Sequence, residues 1–379
     1  MKIGFYSDAY TLTTGYGRDT LNLMLGLKGL GHEVFEMSMN HIGPPVTPIE
    51  GMPIYDGRTA PMTARLIRKL RPDVLIHIRD NWSFVRRFQP PGYDLLPFCH
   101  EVGTKFVAYT PIESIPMPKD LVDTVSTKAD LTIVQSQWSK VGLIAQGAPE
   151  DRLRVLYHGV DPAVFHPGEG DREKTGLPDG PLLLSVVSNT ERKGIPLTMV
   201  ILAKLLGQGH DLRLYLHTPR EGFYGLDTHA NALGLAGKDR VFTKATSDPS
   251  PVNLSGADDA EMANLYRTAS VYVTTTYGEG QGVPILEALA CGLPAVMTDT
   301  PILRELYGAF PHSRFINATQ NFPVPWGFDW FPDVEDGVRK VEEALDMPRP
   351  TSVEIPSFFL WKNIVRTLMG YLEDLTNGG

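Results

Sequence analysis

Along the chain, apolar bursts of four to six residues alternate with longer segments in which apolar positions recur every three or four residues. The bursts "KIGFY", "DVLIHI", "KFVAY", "LTIVQS" and "LRVLYH" occupy the first half; "LLLSVV", "LRLYLH", "RVFTK", "ASVYVTTT" and "LPAVMT" occupy the second. Short, nearly continuous apolar runs suit strands buried on both faces, and helical patterns between them predict βαβ units built on parallel sheets. The segment "GRDTLNLMLGLKGLG" places Leu21, Met24, Leu25 and Leu27 on one helical face and stops at Gly29 to Gly31. "PMTARLIRKLRP" behaves the same way and ends at Pro72. The tail "PSFFLWKNIVRTLMGYLEDLT" brings Phe359, Ile364, Leu368, Tyr371 and Leu375 near helical spacing, which predicts an amphipathic helix.

The alternation breaks at "HGVDPAVFHPGEGDREKTGLPDGP", His158 to Pro181, and then restarts. A Gly/Pro-rich interruption of that kind reads as an interdomain connection, and 379 residues is long for one core. The expected fold class is therefore α/β, with two Rossmann-like halves in series.

Composition narrows the function classes. At 42% hydrophobic and 21% charged residues the chain has the balance of a folded globular protein. With 35 Lys and Arg against 44 Asp and Glu, the formal charge of −9 supplies no global basic field for a polyanion, which weighs against nucleic-acid binding. Cys99 and Cys291 match neither a metal spacing nor a disulfide framework, which points to a reducing compartment. Met1 leads directly into the first apolar burst and no run of 18 apolar residues occurs. The expectation is a cytoplasmic enzyme, with contact to a membrane surface left open.

Ligands of open α/β sheets bind beyond the carboxyl ends of the strands. Four such places carry chemistry. In "YGEGQGVPILEALACG", Glu279 follows a strand, a helix begins near Gly282, and Glu287 lies within it. Glycines there admit close backbone approach, and a helix N-terminus favours phosphate, so two flanking carboxylates suit a nucleotide sugar. A turn glutamate and a solvent-facing helical glutamate are the plain alternative. In "SVVSNTERKGIPL", Arg192 and Lys193 put two cations at a strand end, where they could hold a diphosphate or simply be solvated. In "YTLTTGYGRDTLN", Gly15 and Gly17 open a helix without the third glycine of a dinucleotide fingerprint, and Arg18 stands either at the ligand or in a surface ion pair. In "VAYTPIESIPMP", Glu113 sits among prolines, either solvated or placed to bind or deprotonate an acceptor hydroxyl.

Together these stretches resemble glycosyltransferase family 4, the retaining nucleotide-sugar enzymes of GT-B fold. "GEGQGVPILEALACGLPAVMTD" is similar to the family's E-x7-E signature, "ADDAEMANLYRTASVYVTTT" to the segment before it, "NTERKG" to its phosphate-binding turn, and "ADLTIVQSQWSKVGLIAQGAPEDRLRVLYHGVDPAVFHP" to the close of the first domain. The resemblance implies two Rossmann-like domains facing across a cleft: an acceptor-side domain over 1–165, a donor-side domain over 166–355, and a C-terminal helix over 356–379 that crosses back onto the first. It implies that Glu279 contacts donor-sugar hydroxyls, Glu287 the ribose, and the backbone of Gly280, Gln281, Gly282 and Val283 the distal phosphate. Lys193, with Arg192 beside it, would neutralise the diphosphate, and Gly15 and Gly17 would form the facing loop.

Two departures from the family pattern stand out. Val187 and Ser188 occupy the place of a frequent Gly-Arg turn, and "TPIES" replaces a frequent histidine after "KFVAY", which makes Glu113 the candidate for that space. The expected chemistry is transfer of a hexose-type sugar to a hydroxyl without a metal or other cofactor. The leaving diphosphate would take the acceptor proton on the same face. A noncatalytic sugar-nucleotide binder and a GT-B epimerase remain as alternatives. The isolated His77, His158 and His217 read as packed or hydrogen-bonded residues rather than metal ligands. The acceptor stays open among a glycan, a lipid-linked sugar, a small metabolite, a protein side chain and a modified nucleobase. Trp82, Phe84, Arg86 and Arg87 are candidates for contacting it.

Overall fold

A computed structural model of the protein describes residues 1–80, 83, 95–236, 240–243, 257–325 and 327–377. Trp82, Phe84, Arg86 and Arg87 lie outside the described residues. The first eight strands are β1 (Lys2–Ser7), β2 (Glu33–Ser38), β3 (Val46–Ile49), β4 (Met52–Asp56), β5 (Val74–Ile78), β6 (Lys105–Tyr109), β7 (Leu131–Val134) and β8 (Leu153–Val155). They form one sheet in the order β3-β4-β2-β1-β5-β6-β7-β8, with β3 antiparallel to β4 and the other neighbours parallel.

A second sheet holds β9 (Leu182–Val186), β10 (Arg213–His217), β11 (Val241–Thr243), β12 (Val271–Thr274), β13 (Ala295–Thr298) and β14 (Ser313–Ile316). Its order is β11-β10-β9-β12-β13-β14, all parallel. A separate antiparallel hairpin pairs β15 (Ala318–Val324) with β16 (Gly327–Pro332). The chain starts outward in one direction and then the other on either side of β1, and again on either side of β9. Each sheet therefore has a topological switch point, between β1 and β5 and between β9 and β12, where strand-end loops diverge and leave a crevice.

Helices cover the sheets and bury the apolar strand faces. Leu23, Met24 and Leu27 of the helix Gly15–Gly29 pack on Ile3, Phe5 and Val34. Leu25, expected on that face, is instead 43% exposed, because a helix of 3.6 residues per turn carries it past the buried stripe. The helix Trp361–Asn377 contributes Ile364, Val365, Leu368, Met369 and Leu372 to this first-domain core. It approaches so closely that a Cβ at Gly26 would stand 2.3 Å from Val365 Cγ2.

The chain crosses between domains twice, side by side. Val160 N donates to Phe359 O at 2.9 Å, and Val160 forms a parallel bridge with Leu360. Val160, Phe165 and Phe359 all pack in the core of the second domain. The connection is thus already part of that domain several residues before 166, and Phe359 belongs to a 3-10 turn, Ser357–Phe359, rather than to the last helix. Among the described residues, no helix is long and apolar enough to cross a membrane.

Candidate active site

The two switch points open into one cleft. At the exit of β9, Glu191–Lys193 form a single 3-10 turn, and Gly194 (φ +58°) swings the chain into the helix Ile195–Gly207. A Cβ at Gly194 would lie 2.3 Å from Thr275 O, so glycine lets this turn press against the exit of β12. Glu279 follows β12, and Gly282 (φ +75°) caps the helix Val283–Ala290 with no side-chain hydrogen bond, so the leading amides keep their capacity for a ligand.

Arg192, Lys193 and Glu279 converge there. Lys193 Nζ donates to Glu279 Oε1 at 2.5 Å and Arg192 Nη1 to Oε2 at 3.1 Å. Arg192 also donates to Gly278 O, and its Nη2 lies 2.9 Å from Glu113 Oε1 of the opposite domain. Burial works to raise the Glu279 carboxyl, but Lys193 and Arg192 outweigh it and bring its pKa down to about 2. At Glu113 burial prevails over Arg192 and pushes the pKa up to about 7. Burial, reinforced by the Arg192 charge, holds Lys193 below its ordinary value. Arg192 is also buried, yet Glu113 and Glu279 keep it firmly protonated.

Glu287 sits in a second cluster. It is 2% exposed, so it is neither solvent-facing nor free. Its Oε1 accepts from Arg18 Nη2 at 2.6 Å and its Oε2 from the Tyr266 hydroxyl at 2.8 Å. Arg18 also pairs with Asp259 at 2.8 Å, so it forms an ion pair across the domain interface. Burial raises the Glu287 pKa despite Arg18.

The glycines divide by task. Gly15 lines the cleft, as do Gly280, Gln281, Gly282 and Val283. Gly17 does not face the cleft: its amide donates to Thr14 Oγ1, and a Cβ there would meet Leu12 O at 2.5 Å and Ala9 O at 2.7 Å. It fixes the shape of the loop that presents Gly15. A Cβ at Gly280 would lie 2.3 Å from Pro111 Cβ, so this glycine is also required by the opposite domain. Gln281 has its side-chain amide committed to both backbone groups of His158, at 2.7 and 2.9 Å.

Several residues here carried little signal in the sequence. Tyr16 donates to Asp80 Oδ1 at 2.5 Å, and His158 Nδ1 lies 2.6 Å from Asp19 Oδ2 at an ion-pair distance without hydrogen-bond alignment. His158 stacks on Tyr109 with centroids 5.4 Å apart. All four of Tyr16, Asp19, Asp80 and His158 line the same cavity of about 620 Å³ as Glu113, Arg192, Lys193 and Glu279. A neighbouring cavity of about 540 Å³ runs past Arg18, Asp259 and Glu287 and shares Gly15, Asp19 and Lys193 with the first. A strand followed by a polar loop residue was the available signal for Asp80 and His158; Asp19 reads as an ordinary helical position.

Two Rossmann-like domains, with switch points facing across a cleft, define the GT-B fold. Sucrose-phosphate synthase from Thermosynechococcus elongatus shares it with a TM-score of 0.74 at 15% identity, covering 100% of both chains. Anabaena HepE, solved with UDP and glucose, matches with a TM-score of 0.69 at 16% identity over 98% of this chain and 99% of that one.

The sequence matches the family described as Glycosyltransferase Family 4 over residues 13–164 and that described as Glycosyl transferases group 1 over residues 186–316. The chain belongs to glycosyltransferase family 4. D-inositol 3-phosphate glycosyltransferase 1 of Catenulispora acidiphila is 28% identical over 221 residues, 54% of this chain and 50% of that protein. The GDP-mannose-dependent alpha-(1-6)-phosphatidylinositol monomannoside mannosyltransferase of Mycolicibacterium smegmatis is 27% identical over 202 residues, 52% and 49% respectively. The chain spans about half the length of the curated relatives it matches.

Proposed function

We propose that the protein is a retaining glycosyltransferase that moves a hexose-type sugar from a nucleoside-diphosphate sugar to an acceptor hydroxyl. The observation that carries this reading is the convergence of Arg192 and Lys193 with Glu279 at the second switch point, in the cavity that Gly15 of the other domain also lines. The two connected cavities together have the room a nucleotide sugar needs.

In this reading the diphosphate lies between Lys193, Arg192 and the backbone of Gly280–Val283. Its oxygens take over the cations that Glu279 now neutralises, and Glu279 turns its acceptor oxygens to the sugar hydroxyls. Glu287 reads the ribose. The bond from the anomeric carbon to the diphosphate breaks as the acceptor oxygen bonds on the same face. The acceptor proton passes to the departing diphosphate oxygen. Fixed positive charge at Arg192 and Lys193 stabilises the leaving group, and the two domains supply alignment. Glu113, with a pKa near neutrality, is suited to anchoring the acceptor hydroxyl or sharing its proton.

Arg192 and Lys193 supply the charge that a divalent ion supplies elsewhere, so the reaction proceeds without one. Among the described residues no group of three His, Cys, Asp or Glu side chains is arranged to hold a metal.

The names of the similar proteins mention UDP and GDP-mannose, which makes uridine and guanosine diphosphate sugars the first donors to test. A thermal-shift screen identifies the base, since a ligand of the folded state raises its apparent stability. Transfer is then followed in chelator, with the anomeric configuration of the product read by NMR. Retention with full turnover supports the proposal. Inversion, a requirement for added magnesium, or donor binding with no transfer across a broad acceptor panel would refute it.

A further inference from the structure

The hairpin β15-β16 leaves the donor-side domain and ends on the loop that carries Glu113. Ser114, the next residue and itself buried, makes a two-way clasp with it: its hydroxyl donates to Phe328 O at 2.6 Å and accepts from Phe328 N at 2.5 Å. Gln320 Nε2 donates to Ile115 O at 2.7 Å. Gly327 (φ +146°) lies so near that a Cβ would stand 2.4 Å from Ser114 Oγ and 2.7 Å from Pro116 O. At its other edge the hairpin is tied to the donor loop, because Trp330 N donates to Tyr277 O at 2.8 Å and Phe331 stacks on Tyr277 at 4.9 Å. The hairpin therefore grips the Glu113 loop with one hand and the Tyr277–Glu279 loop with the other.

We infer that Ser114 and Gly327 are positioning residues. The hairpin clasp sets Glu113 against Arg192, so that the acceptor-side carboxylate reaches its working place only when the donor-side hairpin is docked. This rests on the role proposed above for Glu113. A serine hydroxyl that donates to the carbonyl and accepts from the amide of one residue, Phe328, fixes the loop in two directions, which a single hydrogen bond does not. Glu113 is adjacent in the chain and its own backbone is packed against Gly278, with a Cβ there only 3.1 Å from Glu113 O, so a shift of the loop is passed directly to its carboxylate. Neither clasp residue lies among the diphosphate ligands, and loss of the clasp should leave donor affinity alone.

The test compares Ser114→Ala, Gly327→Ala and Glu113→Gln with the wild type in three measurements: nucleoside-diphosphate affinity by calorimetry, kcat for transfer, and the pH dependence of kcat/KM. Ser114→Ala, which removes both hydrogen bonds, and Gly327→Ala, whose Cβ would collide with Ser114 Oγ and Pro116 O, are each expected to bind the nucleotide within about twofold of wild type and to lose about tenfold in kcat. Their acid limb moves upward in pH, because Arg192 lowers the Glu113 pKa and slippage weakens that pairing. Nucleotide affinity falling in parallel with kcat, with the limb unmoved, would reduce the clasp to a domain contact and overturn the inference. Unchanged kinetics in both clasp variants while Glu113→Gln is inactive removes the clasp alone. A wild-type rate in Glu113→Gln removes the role of Glu113 and the clasp with it.

Discussion

The two glutamates of the E-x7-E segment are held in opposite ways. Glu279 is neutralised from within its own domain by Lys193 and Arg192, whereas Glu287 is neutralised from the other domain by Arg18. The result is opposite shifts: the Glu279 pKa falls to about 2, and that of Glu287 rises above its ordinary value. Two nearby cations compensate a buried carboxylate; one cation, shared with Asp259, does not. The first arrangement is a local charge store that an incoming diphosphate can draw on. The second depends on how the domains are docked, so the two sites should answer differently to mutation.

The largest effect is expected at Glu279. Glu279→Ala would leave Arg192 and Lys193 crowded without their common counter-ion, which costs folding stability as well as function. Glu279→Gln keeps the shape and is the cleaner probe. It should lower kcat by about 100-fold or more, in the range seen for loss of a charge-stabilising contact, while circular dichroism shows a folded protein. Turnover within about threefold of wild type would break the donor-site reading. Lys193→Ala should come next, weakening nucleoside-diphosphate binding by about 10- to 100-fold, the worth of a hydrogen bond to a charged group. Calorimetry with unchanged affinity would take Lys193 out of the phosphate site.

Glu113 sharpens the comparison because it touches the first cluster from across the cleft. Its folded pKa near 7 means that the carboxylate form is populated above neutrality and is lost as pH falls. If transfer uses the carboxylate, kcat/KM of the wild type should drop about tenfold per pH unit below about 7. Glu113→Gln should bind donor normally, transfer poorly, and show no such limb. A limb that persists in Glu113→Gln would assign it to another group.

The parts legible in the sequence are those in which one segment carries its own signal. β1, β5, β6 and β9 are short runs that are nearly all apolar, and the glycine turn ahead of Val283 announces a helix start. The hairpin β15-β16 was not legible. Pro323 and Pro332 lie within its strands, a register shift interrupts the pairing between Gln320 and Phe322, and neither strand keeps a clean apolar alternation. The polar pairs across the cleft were illegible for another reason. Arg18 and Glu287 are 269 positions apart, and Glu305, which accepts from the Gln137 and Trp138 amides at 2.8 and 2.7 Å, is 168 and 167 positions from its partners. Each residue looks like solvated helix surface until the domains face one another. Even the glycines were only half read: Gly280 is required by Pro111 pressed against it as well as by the cleft it lines, and Gly17 by the carbonyls of Leu12 and Ala9.

Arg18→Met is the smallest perturbation of transfer and the most direct test of the second cluster. It keeps an unbranched apolar stem in place of the arginine stem and removes the cross-domain charge, leaving Glu287 with Tyr266. Turnover should fall only about three- to tenfold, since no phosphate or sugar contact is lost. Stability should change in a pH-dependent way. A carboxyl whose folded pKa is raised above its unfolded value supports folding below the unfolded pKa, and that support is lost as pH rises through the folded value. Removal of Arg18 raises the Glu287 pKa further, so the melting temperature of Arg18→Met should sit closer to that of wild type at acid pH than at pH 8. The difference at pH 8 should be about 1–3 kcal/mol, less than for a fully buried pair because Arg18 keeps 25% of its side-chain surface exposed. Adding Glu287→Gln should close that gap, because an amide has no charge to strand. A gap that is the same at both pH values would mean that Arg18 acts through packing on Phe165, 5.8 Å from its guanidinium, and not through the carboxylate it bridges.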